Sequence, residues 1–195
     1  LRTLSGRVTG LAAYGDSYFA GSDGGALAAA GDSRPAIAPA GHALQPLVFT
    51  ASYGGALEYR VALVDRTAGS LRMFRLVANQ LADVALDQAQ PLGEPINAPA
   101  IDDVDGDGMP EILFTTVSGK VGYWNDNGSL SPGWPPQVEK EGFATMAGPL
   151  PLTRPGASSL ILASLGDGRL TALDSERKAP KGFPLGLSVG ARGTG

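Results

Sequence analysis

The sequence predicts an all-β protein made of about four small sheets of short antiparallel strands. Three observations predict this fold class: 28 glycines and 15 prolines among 195 residues, short apolar runs separated by glycine-containing turns, and a turn pattern that recurs along the chain. Glycine and proline at this density are typical of many short strands joined by tight turns.

Composition excludes several classes of function. With 15 Lys and Arg against 19 Asp and Glu, and a pI of about 4.9, the chain lacks the positive excess that phosphate binding requires, so we expect no nucleic-acid partner. The absence of Cys excludes disulfides, thiolate metal sites and a cysteine nucleophile. The longest apolar runs, such as residues 160–163, are far below the ~20 residues of a membrane helix, so we expect no membrane span.

The recurring turn divides the chain into four repeats. Gly119 and Gly168 lie 49 residues apart, in the same strand-turn-strand context, and Pro135 and Pro184 are separated by the same 49 residues. Gly69 extends the pattern backward by 50 residues, and Gly25 gives a weaker copy 44 residues earlier. We therefore expect one domain, or a fragment of one, with repeats at roughly 3–45, 46–95, 96–146 and 147–195.

One segment has partly helical spacing. In LVANQLADVALDQAQ, residues 76–90, Leu81, Val84 and Ala85 are spaced i, i+3 and i+4. Because the segment lies between two strand-rich repeats and is ended by Pro91, strand and loop are favoured over helix.

Repeats of four short antiparallel strands with a period in the forties predict a β-propeller with about four four-stranded blades. The alternative is a β-sandwich, which would not require the shared spacing. An open arc of four blades would leave two sheet edges exposed. We therefore expect the chain to be part of a larger ring, or to complete one with another subunit.

One loop carries the clearest chemistry. Residues 103–111 read Asp103-Val104-Asp105-Gly106-Asp107-Gly108-Met109-Pro110-Glu111, with carboxylates at positions 1, 3, 5 and 9. Calcium takes 6–8 oxygen ligands at about 2.3–2.6 Å, and the two glycines permit the positive φ of a tight loop. The Met109 carbonyl is the natural backbone ligand. The alternatives are Mg²⁺, a solvated turn that binds nothing, or an EF-hand, which fits worse because its closing Glu would fall at Phe114.

The loop, the apolar strand after it, the Ser118-Gly119 turn and the Gly133-Trp134-Pro135 exit resemble an FG-GAP (VCBS-type) repeat. These repeats form the calcium-binding blades of integrin-α-like β-propellers. The resemblance implies Ca²⁺ bound by Asp103, Asp105, Asp107, Glu111 and the carbonyl of Met109. Position 9 is usually Asp in this family, and Glu111 is a longer variant. The corresponding loop of the fourth repeat, residues 152–156, has no carboxylate, so one metal site is expected.

The fourth repeat has a second resemblance. Residues 166–174, Gly-Asp-Gly-Arg-Leu-Thr-Ala-Leu-Asp, are similar to the core of quinoprotein-like propeller blades. Some proteins of that family bind pyrroloquinoline quinone and oxidise alcohols, and others act as scaffolds. Since the chain shows no cofactor cage, we interpret this likeness as shared blade architecture and expect no cofactor other than Ca²⁺.

Other candidate residues favour structural roles. His42 is the only histidine, and no nucleophile-elbow sequence accompanies it. Asp102 or Glu94 could pair with a loop acid for glycoside hydrolysis, but a solvated carboxylate is favoured. Trp124, Trp134, Phe183 and Phe74 recur at matching repeat positions, which indicates packing between blades. The triplet 127–129 matches a glycosylation sequon but favours a tight hairpin turn.

The expected function is a non-enzymatic, calcium-stabilised binding or scaffold module for a protein or carbohydrate partner. Because free Ca²⁺ is abundant outside cells and scarce in the cytosol, we expect an extracytoplasmic location: secreted, periplasmic or on the cell surface. The alternatives are a propeller enzyme, either a polysaccharide lyase or hydrolase or a quinone-dependent dehydrogenase, and a structural subunit of a multiprotein complex.

Overall fold

A computed structural model describes residues 4–29, 32–34, 38–53, 56–77, 80–84, 91–133, 147–154 and 157–186. Their regular structure is entirely β-strand, which confirms the predicted fold class. For residues 76–90 strand is confirmed over helix at Gln80–Val84, while residues 78–79 and 85–90 lie outside the described residues. No helix that could cross a membrane occurs in these ranges.

The strands form four small antiparallel sheets, in which each strand pairs with its neighbours in the chain. Sheet 1 contains β1 (Val8–Tyr14), β2 (Ser17–Ser22), β3 (Leu27–Ala29) and β4 (Asp32–Arg34). Sheet 2 contains β5 (Leu44–Tyr53), β6 (Ala56–Asp65), β7 (Ser70–Val77) and β8 (Gln80–Val84). Sheet 3 contains β9 (Ala100–Asp102), β10 (Glu111–Thr115) and β11 (Val121–Trp124). Sheet 4 contains β12 (Leu150–Arg154), β13 (Ala157–Ser164), β14 (Arg169–Leu173) and β15 (Leu185–Gly186).

The four glycines of the sequence pattern lie in equivalent places, between the second and third strands of each sheet. Gly25, Gly69, Gly119 and Gly168 have φ angles of 78°, 60°, 95° and 84°. L side chains rarely adopt this left-handed region, whereas glycine enters it without steric cost. At Gly25 a Cβ would also lie 1.9 Å from the carbonyl oxygen of Ala38, so this turn has no room for a side chain.

Consecutive sheets pack face to face through three hydrophobic clusters. Phe19 and Leu27 of sheet 1 meet Val61, Leu63 and Phe74 of sheet 2. The other face of sheet 2 meets Ile112, Phe114 and Trp124 of sheet 3. The opposite face of sheet 3 then meets sheet 4 through a third cluster, which contains Val104, Leu113, Val121, Tyr123, Ile161, Ala163 and Leu173. The inner sheets are therefore buried on both faces.

The structure refines several expectations. Trp124 and Phe74 are fully buried, as the packing interpretation requires, whereas Phe183 is only half-buried and belongs to none of the three clusters, and Trp134 lies outside the described residues. Sheet 3 shows three strands, not four, in the described part of the chain. Residues 152–154, expected to belong to a loop, lie instead in strand β12, because Leu152 and Arg154 pair with Leu160 and Ala157 of β13 on either side of a register shift. No cluster of described residues joins sheet 4 back to sheet 1, so the propeller arrangement stays a prediction.

Trp124 should be a main determinant of stability. It is fully buried, its ring centroid lies 4.3 Å from that of Phe114, and its indole nitrogen has no hydrogen-bond partner in the described structure. We expect Trp124→Ala to lower the free energy of unfolding by about 3–5 kcal/mol. Trp124→Phe should cost clearly less, since it keeps an aromatic ring and removes an unpaired N–H. Urea unfolding followed by far-UV circular dichroism measures both, and equal losses would contradict this explanation.

Candidate metal centre

The acidic loop connects β9 to β10 at one end of sheet 3. Its two ends are fixed by strand pairing, which places Glu111 opposite Asp102. Gly106 and Gly108 have φ angles of 84° and 87°, so the loop uses glycine where the backbone turns through the left-handed region. Val104 is fully buried and packs into the cluster between sheets 3 and 4. This anchor holds the loop against the sheet while Asp103 and Asp105 flank it.

The loop is ordered by hydrogen bonds from its own backbone to its carboxylates. Asp103 accepts hydrogen bonds from the amides of Gly106 at 2.7 Å and Gly108 at 3.0 Å. Asp105 accepts one from the amide of Asp107 at 3.2 Å. Asp107 accepts one from the amide of Met109 at 2.7 Å. The carboxylates therefore fix the conformation of the loop, although they also place several negative charges close together.

Three of the predicted ligands converge. Asp103, Asp105 and Glu111 each offer a carboxylate oxygen, and these oxygens all lie within 4.8 Å of one another. Glu111 is only 2% exposed, and its Oε2 accepts a hydrogen bond from the amide of Val104 at 2.7 Å. Asp107 is not part of this group. The Met109 sulfur accepts a hydrogen bond from the Ser52 amide at 3.1 Å, which ties the loop to sheet 2.

The electrostatics of the cluster favour the neutral form of its buried acid. Burial raises the pKa of Glu111, the charges of Asp105, Asp107 and Asp103 raise it further, and the Val104 amide opposes them; the pKa is about 8. Burial followed by repulsion from Asp107 and Asp103 also raises the pKa of Asp105. The site therefore holds more negative charge than its surroundings stabilise.

This arrangement has the chemistry of a site for a hard divalent cation. Carboxylate oxygens are the ligands that Ca²⁺ and Mg²⁺ prefer, and one buried and two more accessible carboxylates would close one side of the coordination shell. A bound cation would also favour the ionised form of Glu111 by supplying the opposite charge.

Residues from a distant part of the chain border the loop. A cleft of about 530 Å³ separates it from sheet 4, and Asp102, Asp103 and Asp105 line one side. Thr153, Ser158 and Ser159 line the other. Sequence reasoning missed these hydroxyl groups, because their place beside the loop depends on the packing of sheet 4 against sheet 3.

A further acid near the site was also missed. Asp126 lies in the turn after β11, and its pKa is raised above its ordinary value. Burial is the largest cause and the charge of Asp107 adds to it, whereas the charge of Arg60 lowers the pKa. The Arg60 guanidinium donates a hydrogen bond to the Asp126 carbonyl oxygen at 2.9 Å. No signal in the local sequence connects residue 126 with the loop.

Glu94, another candidate acid, is held in structural interactions. Burial alone would raise the pKa of Glu94, but hydrogen bonds from Lys120, Ser118 and Thr116 and the Lys120 charge hold it below its ordinary value. Its carboxylate lies 2.7 Å from the Lys120 ammonium. A carboxyl group with a lowered pKa is poorly suited to act as a general acid.

His42 is also engaged. Its Nδ1 lies 2.6 Å from Oδ2 of Asp65, whose other oxygen accepts hydrogen bonds from the amides of Thr67 and Ala68. The pair braces the connection between sheets 1 and 2. At residues 125–129 the tight turn is confirmed, since the Gly128 amide donates to the Asn125 carbonyl at 2.8 Å.

No family model and no curated protein matches the chain. Among solved structures, it is similar to the crystal structure of the computationally designed Ika4 protein, with a TM-score of 0.53 and 12% identity. That match covers 89% of this chain and 94% of the designed one. The computationally designed Ika8 protein matches with a TM-score of 0.37 and 11% identity over 86% of this chain, which spans 58% of Ika8. The Ika4 likeness concerns the fold alone.

The raised pKa of Glu111 predicts a pH dependence for the metal-free protein. The unfolded chain ionises this group at its ordinary pKa of 4.5, whereas the folded chain keeps the proton until about pH 8. The unfolded state then binds fewer protons across this window, so the contribution of Glu111 to folding stability should fall as the pH rises from 4.5 to 8.

Urea unfolding with a chelator, at a series of pH values, measures this effect. Glu111→Gln should flatten the decline, because it removes the titrating group. Glu176→Gln, at an exposed carboxylate, is the control and should keep the pH profile of the parent. Identical profiles for the parent and Glu111→Gln would show that Glu111 titrates normally.

Proposed function

We propose that the chain is a calcium-stabilised β-propeller unit that acts as a non-enzymatic binding or scaffold module. The observation that carries this proposal is the convergence of Asp103, Asp105 and Glu111 within 4.8 Å, with Glu111 almost completely buried. A buried acid in contact with two further acids is costly unless a proton or a cation neutralises it. A resident cation gives this local arrangement a physical reason.

Several observations support Ca²⁺ over Mg²⁺. The candidate ligands are carboxylates from a glycine-containing loop together with one from a strand end. Calcium tolerates irregular shells of 6–8 oxygens, whereas Mg²⁺ demands near-ideal octahedral geometry and keeps several waters. The Met109 carbonyl and Asp107 are the further ligands that we propose for this shell.

The propeller arrangement is supported by the order of the sheets. Each sheet packs on the next through one face, as adjacent blades do. The first strands of neighbouring sheets also approach one another. The Thr9 hydroxyl of β1 donates to the carbonyl of Leu44 in β5 at 2.7 Å, and a Cβ on Gly10 would lie 2.8 Å from the Cα of Gln45.

A binding role is supported by two exposed tyrosines that lie at the same end of the sheets as the acidic loop. Tyr14 ends the first strand of sheet 1 and Tyr59 lies near the start of the second strand of sheet 2, so both lie at the end of their sheets where the acidic loop lies in sheet 3. Their ring centroids are 4.2 Å apart, and they are 44% and 40% exposed. Exposed aromatic rings of this kind suit a protein or carbohydrate partner. An extracytoplasmic location follows from the need for available Ca²⁺.

Calcium should stabilise the folded protein through the acidic loop. Because a ligand that binds only the native state stabilises it by mass action, Ca²⁺ at 100 times its Kd should add roughly 2.7 kcal/mol. For a chain of this size, each kcal/mol of added stability raises the Tm by about 2–4 °C. Asp105→Ala should abolish most of this rise, and Mg²⁺ at the same concentration should give a smaller one in the parent.

Differential scanning calorimetry with titrated Ca²⁺ measures this directly. Asp16→Ala is the matched control, since Asp16 is an exposed acid in the β1–β2 turn, the equivalent connection of sheet 1. It should respond to Ca²⁺ as the parent does. A parent whose Tm does not change with Ca²⁺ would remove the basis of the proposal, and an equal effect in all three proteins would indicate non-specific binding.

A further inference from the structure

The two terminal sheets each have one face that no other sheet in the described structure covers. In sheet 1, Ala12 and Phe19 point toward sheet 2. Because side chains alternate along a strand, the neighbours of these residues point the other way. This surface, termed the backward face of sheet 1, consists of Leu11, Ala13, Tyr18, Ala20 and Ala28.

Sheet 4 has the corresponding surface on its opposite side. Ile161 and Ala163 point toward sheet 3, so the alternating positions on β13 and their cross-strand partners point away from it. This surface, termed the forward face of sheet 4, consists of Leu150, Leu152, Leu160, Leu162, Ser164, Leu170, Ala172 and Leu185.

Both faces are largely apolar and partly accessible. Leu11 and Tyr18 are 73% and 68% exposed on the backward face of sheet 1, and Leu150 and Leu152 are 64% and 45% exposed on the forward face of sheet 4. On the central strands of sheet 4, Leu160 and Ala172 are buried. The accessible part of the backward face of sheet 1 therefore lies on β1 and at Tyr18 of β2, and that of the forward face of sheet 4 lies on β12 and at Leu185 of β15, which is 44% exposed.

This composition is unusual for a sheet face that meets water. An antiparallel sheet with one solvated side normally alternates apolar and polar residues, whereas strands that are apolar on both sides are typical of sheets buried on both sides. Neither face contains a charged residue. The two terminal sheets therefore have the composition of inner sheets.

The inner junctions indicate what fits these faces. Each sheet has a forward face, directed toward the next sheet in the chain, and a backward face, directed toward the preceding one. At each of the three junctions, the forward face of one sheet packs against the backward face of the next. The forward face of sheet 4 and the backward face of sheet 1 are the two halves of one more junction of the same kind. Their side chains are also complementary in size, since a leucine-rich surface would meet an alanine-rich one.

We propose that the forward face of sheet 4 in one copy of the chain packs against the backward face of sheet 1 in a second copy. The contact is heterologous, head to tail, because two different surfaces meet. It continues the series of sheet junctions between chains. It requires no cation, so its failure and that of the calcium proposal are separable.

Two variants test the junction, each of which disrupts one half. Leu150→Glu places a charge on the forward face of sheet 4, and Leu11→Glu places one on the backward face of sheet 1. Both side chains are largely exposed, so neither change should prevent folding, which circular dichroism verifies. Leu57→Glu is the matched control, because Leu57 is 72% exposed but lies on neither face.

Light scattering across a concentration series gives the readout. The parent and Leu57→Glu should have at least twice the monomer mass of 19.9 kDa, and each face variant alone should have the monomer mass. Asp105→Ala should assemble like the parent.

The decisive sample is an equal mixture of Leu150→Glu and Leu11→Glu. Each variant keeps the half that the other has lost, so the mixture should recover a species of twice 19.9 kDa. A mixture that stays monomeric would overturn the head-to-tail contact. A monomeric parent would overturn the proposal in favour of closure within one chain or a different partner, and dissociation by Leu57→Glu would show that the faces are not specific.

Discussion

The burial of β10 on both faces is the constraint on which the candidate site depends. Ile112 and Phe114 contact the core shared with sheet 2, and Leu113 contacts the core shared with sheet 4. All five residues of this strand are buried. Glu111 begins the strand and cannot move toward water without shifting the residues that follow it. Packing therefore fixes a carboxylate where solvation is poor, and the loop places two more beside it.

A proton and a divalent cation compete to neutralise the Glu111 carboxylate. Backbone amides already donate hydrogen bonds to Asp103 and to Glu111, but the bond to Glu111 does not offset its burial and the repulsion from the aspartates, since the pKa of Glu111 remains well above its ordinary value. Below about pH 8 a proton on Glu111 relieves the repulsion. A cation does so at any pH at which it displaces that proton, and this couples metal binding to proton release.

Features set by local sequence could be predicted, and features set by contacts between sheets could not. The acidic loop, the turn glycines and the strand that ends at Trp124 each depend on a few consecutive residues. Strand β1 gives no comparable signal, because three of its seven residues, Gly10, Ala12 and Ala13, are of types depleted in strands. Residues 152–154 are expected to lie in a loop because they align with the acidic loop one repeat earlier, but pairing of Leu152 and Arg154 with β13 makes them part of a strand. The Thr153 and Ser158 hydroxyls reach the loop only through tertiary packing.

Val104 links the loop to the stability of the chain beyond it. It is buried in the cluster that contains Tyr123 of sheet 3 and Ile161 of sheet 4, while both of its neighbours in sequence are candidate ligands. A cation bound by Asp103 and Asp105 would hold the backbone on both sides of this anchor. The free energy of binding would then act on the junction between sheets 3 and 4 as well as on the loop. In a chain whose sheets contact mainly their neighbours, the free energy of unfolding is close to a sum of contributions from the sheets and from the junctions between them. A cation that stabilises the junction between sheets 3 and 4 would therefore add its contribution to the stability of the whole chain.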